Sequence, residues 1–229
     1  MGRIDMTKHF DREMTVLKKR ILTTGAMVEE MLRESVRSVE QNDAAAARWV
    51  IERDAAVDLY EVETEEECLK ILALYQPVAL PLRFVAAVLK INNDLERMAD
   101  QAVNIAERAL RLRDRSTPGM RVGMHNLAER AMDMVRKSLD ALVELDKGKA
   151  LEVCRSDKEV DDLYRTLCES IETQIRANPK DLGPGMDMVA VLKNLERCAD
   201  LATNIAEDVV YTVDGNIIRH PSLARRTNP

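Results

Sequence analysis

Leu95-Glu96-Arg97-Met98-Ala99-Asp100-Gln101-Ala102-Val103-Asn104-Ile105-Ala106-Glu107 recurs as Leu195-Glu196-Arg197-Cys198-Ala199-Asp200-Leu201-Ala202-Thr203-Asn204-Ile205-Ala206-Glu207. Two copies this close, in half-chains of similar length, mark a duplicated module. Helical core packing asks only for an apolar pattern. Here the polar Glu, Arg, Asp, Asn and Glu are kept as well, which points to a use beyond folding.

Outward from the repeated peptide, Val88, Ile91, Leu95, Met98, Ala102, Ile105, Ala109 and Leu112 step by three and four. Met188, Val191, Leu195, Cys198, Ala202, Ile205 and Val209 do the same in the second copy. A seam sustained over several heptads predicts coiled-coil-like packing, and the small Ala102 and Ala202 allow close approach of a neighbouring helix. The duplication also reaches upstream. Asp43, Ala47, Asp54, Val57 and Asp58 match Asp146, Ala150, Asp157, Val160 and Asp161, with a small length difference left to an intervening loop.

Breakers divide the chain into six stretches of helical character: Gln41-Asn42-Asp43, Tyr75-Gln76-Pro77 with Pro81, Thr117-Pro118-Gly119, Asp146-Lys147-Gly148, and Asn178-Pro179 through Pro184-Gly185. The expected fold class is all-α, two tandem homologous three-helix bundles at 1–115 and 116–229. Each helix should run about 30 residues, or about 45 Å.

Composition agrees. The 229 residues are 46% hydrophobic but only 3% aromatic, which suits long packed helices rather than sheet. A net charge of -6 disfavours nucleic acid, whose binding needs clustered Lys and Arg. No apolar run is long enough to cross a bilayer and the polar start from Met1 to Lys8 lacks a signal-peptide core, so the expectation is a cytoplasmic protein without membrane insertion. Cys68, Cys154, Cys168 and Cys198 form no CxxC pair and suit a reducing compartment. His9, His125 and His220 are scattered, with no spacing that suggests a histidine-based metal site.

At about 100° per residue, Glu96, Asp100, Asn104 and Glu107 share a narrow sector opposite the seam and are expected to point outward. Asp54, Asp58, Glu61 and Glu65 stack on one face of the second helix, and Asp157 with Asp161 on the fifth. Each bundle therefore offers two carboxylate columns. Like charges one turn apart cost a few tenths of a kcal/mol, a cost that a cation would remove. Hard oxygen ligands from adjacent helices suit Mg²⁺, Mn²⁺, Ca²⁺ or iron, whereas the lack of His and thiolate partners disfavours a structural Zn²⁺. A run of acids on a helix is commonly just a solvated face. Recurrence at matched positions in both halves favours a metal site over that reading. Asn104 and Asn204, poor helix formers in mid-helix, are expected to make a specific hydrogen bond or to ligate through oxygen. Arg97 and Arg197 are read as structural ion-pair partners for acids on a neighbouring helix, and the methionines as core filler.

The twice-used phrase Leu-Glu-Arg-x-Ala-Asp-x-Ala-x-Asn-Ile-Ala-Glu resembles the PhoU family of phosphate-signalling regulators. Gln76-Pro77-Val78-Ala79, Leu82-Arg83-Phe84, Lys90-Ile91-Asn92-Asn93-Asp94 and Gly215-Asn216-Ile217-Ile218-Arg219-His220 look like the same family, so the likeness spans nearly the whole chain. The resemblance implies a non-catalytic cytoplasmic homodimer that links the high-affinity phosphate ABC transporter, through its ATPase, to a membrane sensor histidine kinase. With phosphate plentiful, such a complex represses starvation genes. Carried over by residue, the metal ligands are Glu96, Asp100, Glu196 and Asp200, with Asp54, Asp58, Asp157 and Asp161 from the adjacent helices. Iron, Mn, Mg and Zn are the ions this implies. Ala99-Asp100-Gln101 and Ala199-Asp200-Leu201 stand where the family often has Gly-Asp-His, and Pro81 where an Asp is frequent. Tyr164 and Cys168 replace Glu61 and Glu65 in the second half, which predicts weaker metal binding there.

Other functions fit less well. A di-iron carboxylate enzyme needs inward-facing Glu residues and an ExxH motif, and neither is present. A P-loop ATPase needs GxxxxGK[ST], also absent. A metal-binding helical scaffold unrelated to phosphate is the remaining alternative.

Overall fold

The computed structural model describes residues 2–113, 115 and 118–215, so residues 216–220 of the motif at the C-terminus lie outside the described residues. Six long helices make up almost all of it: α1 (Gly2–Gln41), α2 (Ala44–Tyr75), α3 (Ala79–Leu112), α4 (Met124–Glu144), α5 (Lys147–Ala177) and α6 (Leu182–Asp214). Single 3₁₀ turns, Pro118–Arg121 and Pro179–Asp181, precede α4 and α6. The chain is all-α, and α1–α3 and α4–α6 repeat one arrangement.

Asp43 and Asp146 show why two of the repeated acids recur. Each is an N-cap whose carboxylate accepts from two backbone N–H groups, those of Ala45 and Ala46 in α2 and of Gly148 and Lys149 in α5. Both satisfy donors that a helix start leaves open. Their recurrence is explained by folding and requires no ligand.

Several breakers sit elsewhere than the sequence suggested. Pro81 lies in the first turn of α3, where a missing N–H costs no hydrogen bond. The fourth helix is closed by Leu145 in the left-handed conformation, while Lys147 and Gly148 already belong to α5. Pro184 and Gly185 lie inside α6. A Cβ at Gly185 would come within 2.5 Å of Ile175 Cδ1, so a larger residue at this crossing of α5 and α6 obliges Ile175 to shift. Helix lengths depart from about 30 residues: α1 has 40 and α4 has 21.

Every seam residue of α3 and α6 named above is buried. Ala102 and Ala202 are fully buried, as small residues at a close helix crossing should be. The two central helices pack on each other and α1 touches α4, so the halves share one continuous core. Arg83 donates to the Thr212 carbonyl at 2.8 Å and Arg108 pairs with Asp187 at 3.0 Å. The start of α3 thus meets the end of α6 and the reverse, an antiparallel pair. Among the described residues, no helix is long and apolar enough to cross a membrane.

Candidate functional site

In the first half, α2 and α3 place the predicted carboxylates within reach of one another's charge. Glu96 has its pKa raised, first by partial burial and then by the charges of Asp100, Asp58, Glu61 and Asp54. Asp54 is raised by burial and then by Asp58 and Asp100, and Glu61 by burial and then by Glu65 and Asp58. Among the described residues, none of these six acids forms an ion pair with Lys or Arg. Asn92, one turn before Glu96 and 1% exposed, donates from Nδ2 to the Glu61 carbonyl at 2.8 Å, which fixes α3 against α2 at this level. Its Oδ1 is buried with no hydrogen-bond partner.

The second half is built differently. Carboxylate oxygens of Asp161, Glu196 and Asp200 all lie within 4.8 Å of one another, the one such group found among the described residues. Asp157, raised mainly by burial, accepts a hydrogen bond from Thr203 at 3.1 Å, and it feels the charges of Asp161 and Glu196. Burial, then Glu196 and Asp157, pushes Asp200 up to about 6. Lys193, one turn before Glu196, donates to both of its carboxylate oxygens at 2.7 and 2.5 Å. The same ammonium lies 5.4 Å from the centre of the Tyr164 ring.

Glu196 corrects the expectation of outward-pointing columns, because it is 8% exposed. Lys193 pairs with it and lies over the Tyr164 ring, whereas its counterpart Glu96, with Asn93 at the matching position, is half-exposed. Asp100, Asn104 and Glu107 are exposed as expected, whereas Asn204 and Glu207 are half-buried. Arg97 pairs with Asp94 on its own helix at 3.5 Å, not with a neighbouring one. The four cysteines are free thiols, and burial raises the Cys68 thiol to about 12. His125 contacts Glu40 and Glu129, away from either acidic site.

Lys193 was missed by reading acids alone. It stands at the repeat position of Asn93 and three residues before Glu196, so the substitution was visible on comparing the two copies. Beside the second site, a cleft of about 540 Å³ brings Arg97 and Gln101 of α3 against Asp157 of α5 and Arg197, Asp200 and Asn204 of α6.

Both donor sets are oxygen-rich and contain neither imidazole nor a low-pKa thiolate, which suits hard cations over zinc. Among the described residues, carboxylate oxygens converge within 4.8 Å only at the second site, where an ammonium already sits on Glu196, while the first site offers more carboxylates, without an ion-pair partner, between α2 and α3.

The PhoU domain family model matches residues 21–109 and 124–209, one match in each half. The chain is 33% identical over 223 residues to the phosphate-specific transport system accessory protein PhoU homolog of Pseudomonas putida, covering 97% of this chain and 87% of that protein. Among solved structures, PhoU from Pseudomonas aeruginosa superposes with a TM-score of 0.86 at 33% identity, covering 90% of this chain and 99% of that one. The phosphate transport system regulatory protein PhoU from Streptococcus pneumoniae gives 0.86 at 26% identity, covering 92% and 100%.

Proposed function

From the premise that this chain belongs to the PhoU family, we propose that it is a non-catalytic cytoplasmic regulator that couples a high-affinity phosphate ABC transporter to a sensor histidine kinase. It represses phosphate-starvation signalling when phosphate is plentiful. The observation that carries this reading is likeness along 97% of the chain to an accessory protein of phosphate-specific transport. Its ATPase and kinase partners follow from the family resemblance. Long helices with charged outer faces supply docking surface, and Leu59, Val62 and Leu69 leave apolar surface on α2 for a homodimer contact.

Metal binding belongs to the same proposal. In the first half Asp54, Asp58, Glu96 and Asp100 would hold the cation, with Asn104 as a further oxygen on the exposed side. Asp157, Asp161, Glu196 and Asp200 are the second set, with Asn204 near it. A bound cation would supply positive charge that relieves the repulsion between the columns and stiffens the face presented to a partner.

The test is phosphatase reporter output in phosphate-rich medium, in cells lacking this protein and in cells resupplied with it. Constitutive output that falls on resupply is expected. Output unaffected by deletion refutes the repressor reading and favours the alternative of a metal-binding scaffold unrelated to phosphate.

A further inference from the structure

The two acidic sites occupy equivalent positions in the repeat but differ in charge. At the first, Asp54, Asp58, Glu61, Glu65, Glu96 and Asp100 have no ion-pair partner among the described residues, and the position before Glu96 that could supply one is Asn93. At the second, Tyr164 and Cys168 remove two carboxylates and Lys193 adds an ammonium. Lys193 is held on two sides, by both oxygens of Glu196 and by the face of Tyr164. The three acids that approach within 4.8 Å are those beside this ammonium. Lys193 offsets part of the repulsion among them, while Asp200 still feels the charges of Glu196 and Asp157.

We propose that Lys193 is a tethered counter-ion that competes with a divalent cation for Glu196 in the second half, so that the two repeats are a metal-binding site and a copy of it with one ligand already paired. This rests on the reading that the acidic columns of the first half bind a divalent cation. A divalent ion entering the second site must displace an ammonium from Glu196 and separate it from the Tyr164 ring. Affinity there is consequently set by residue 193 rather than by the four acids. Lys193 is thus a specificity-determining residue.

The experiment is calorimetric titration of Mn²⁺ into the full chain, comparing wild type, Lys193→Met, which keeps the stem and removes the charge, and Lys193→Arg, which keeps a cation. Each is made alone and together with Glu96→Gln and Asp100→Asn, which disable the first site. Lys193→Met is expected to tighten Mn²⁺ binding at the second site roughly tenfold or more, and Lys193→Arg to leave it weak. Superposable wild-type and Lys193→Met titrations, with wild-type binding lost on disabling the first site, overturn the counter-ion and leave the metal reading standing. No Mn²⁺ binding by wild type or by Lys193→Met overturns both. Lys193→Gln repeats the comparison with a polar stem, and thermal melts in chelator confirm that each variant is folded.

Discussion

Lys90 of α3 reaches Asp208 of α6 across the junction of the two halves, its Nζ 3.3 Å from a carboxylate whose side chain is 2% exposed. Arg108 and Asp187 make the corresponding contact at the other end of the same helix pair. Residues 108 and 208 are equivalent in the repeat, so one structural position carries a cation in one half and an anion in the other. Opposite charges at related positions fix the antiparallel register of α3 on α6 and disfavour packing of two identical helices.

Lys90→Met takes a charge partner from a carboxylate withdrawn from water. It should cost about 1 kcal/mol, the net worth of a typical hydrogen bond. At about 2–4 °C per kcal/mol for a chain of this size, thermal melts will resolve it. Adding Asp208→Asn to Lys90→Met should recover part of the loss, and no recovery would mean that Lys90 acts through packing alone.

Gly185→Val should destabilise the α5–α6 crossing by about 1–3 kcal/mol, because a branched side chain there must displace Ile175 and Ile171. Gly185→Val together with Ile175→Ala should be more stable than Gly185→Val alone. A double variant no better than the single one would place the strain elsewhere.

Metal-free stability should fall as pH rises through the acidic range. Asp200 has its pKa raised from 3.8 to about 6, and Asp54, Glu61, Glu96 and Asp157 are raised as well. Between the unfolded and folded values the native state holds more protons than the unfolded chain, so the Asp200 contribution is present below pH 3.8 and is lost by about pH 6, and the other four act in the same direction. Asp43 works in the opposite sense, since the N–H of Ala46 lowers its pKa and its cap weakens on acidification. Melts in chelator from pH 4.5 to 7.5 should show a declining midpoint, with Asp200→Asn flattening the decline and raising the midpoint at pH 7.5. A steeper decline in Asp200→Asn would contradict the assignment.

Mn²⁺ should restore what the chelator removes. At about one hundred times its Kd, a ligand confined to the native state adds about 2.7 kcal/mol. Differential scanning calorimetry of wild type should show an upward shift of the midpoint, and Glu96→Gln with Asp100→Asn should lose most of it. A shift retained in full would move the site away from the first repeat.

The sequence by itself determined the six helices, the duplication, the buried seams and the facing columns, because these follow from period, capping chemistry and the comparison of two copies of one peptide. Asp43 and Asp146 were visible as a repeated pair, but their role as caps required the N–H groups of the next turn to be in place. Only the tertiary structure decided that Glu196 is buried while Glu96 is not, that Arg97 turns to Asp94, and that Asp161, Glu196 and Asp200 converge. Those outcomes depend on which side chains, of the same helix and of its neighbour, fill the space beside each acid. A helical period assigns a residue to a face, whereas its burial and its charge surroundings depend on what packs beside it, here Lys193 of the same helix with Tyr164 of α5 in one half and Asn93 of the same helix with Glu61 of α2 in the other.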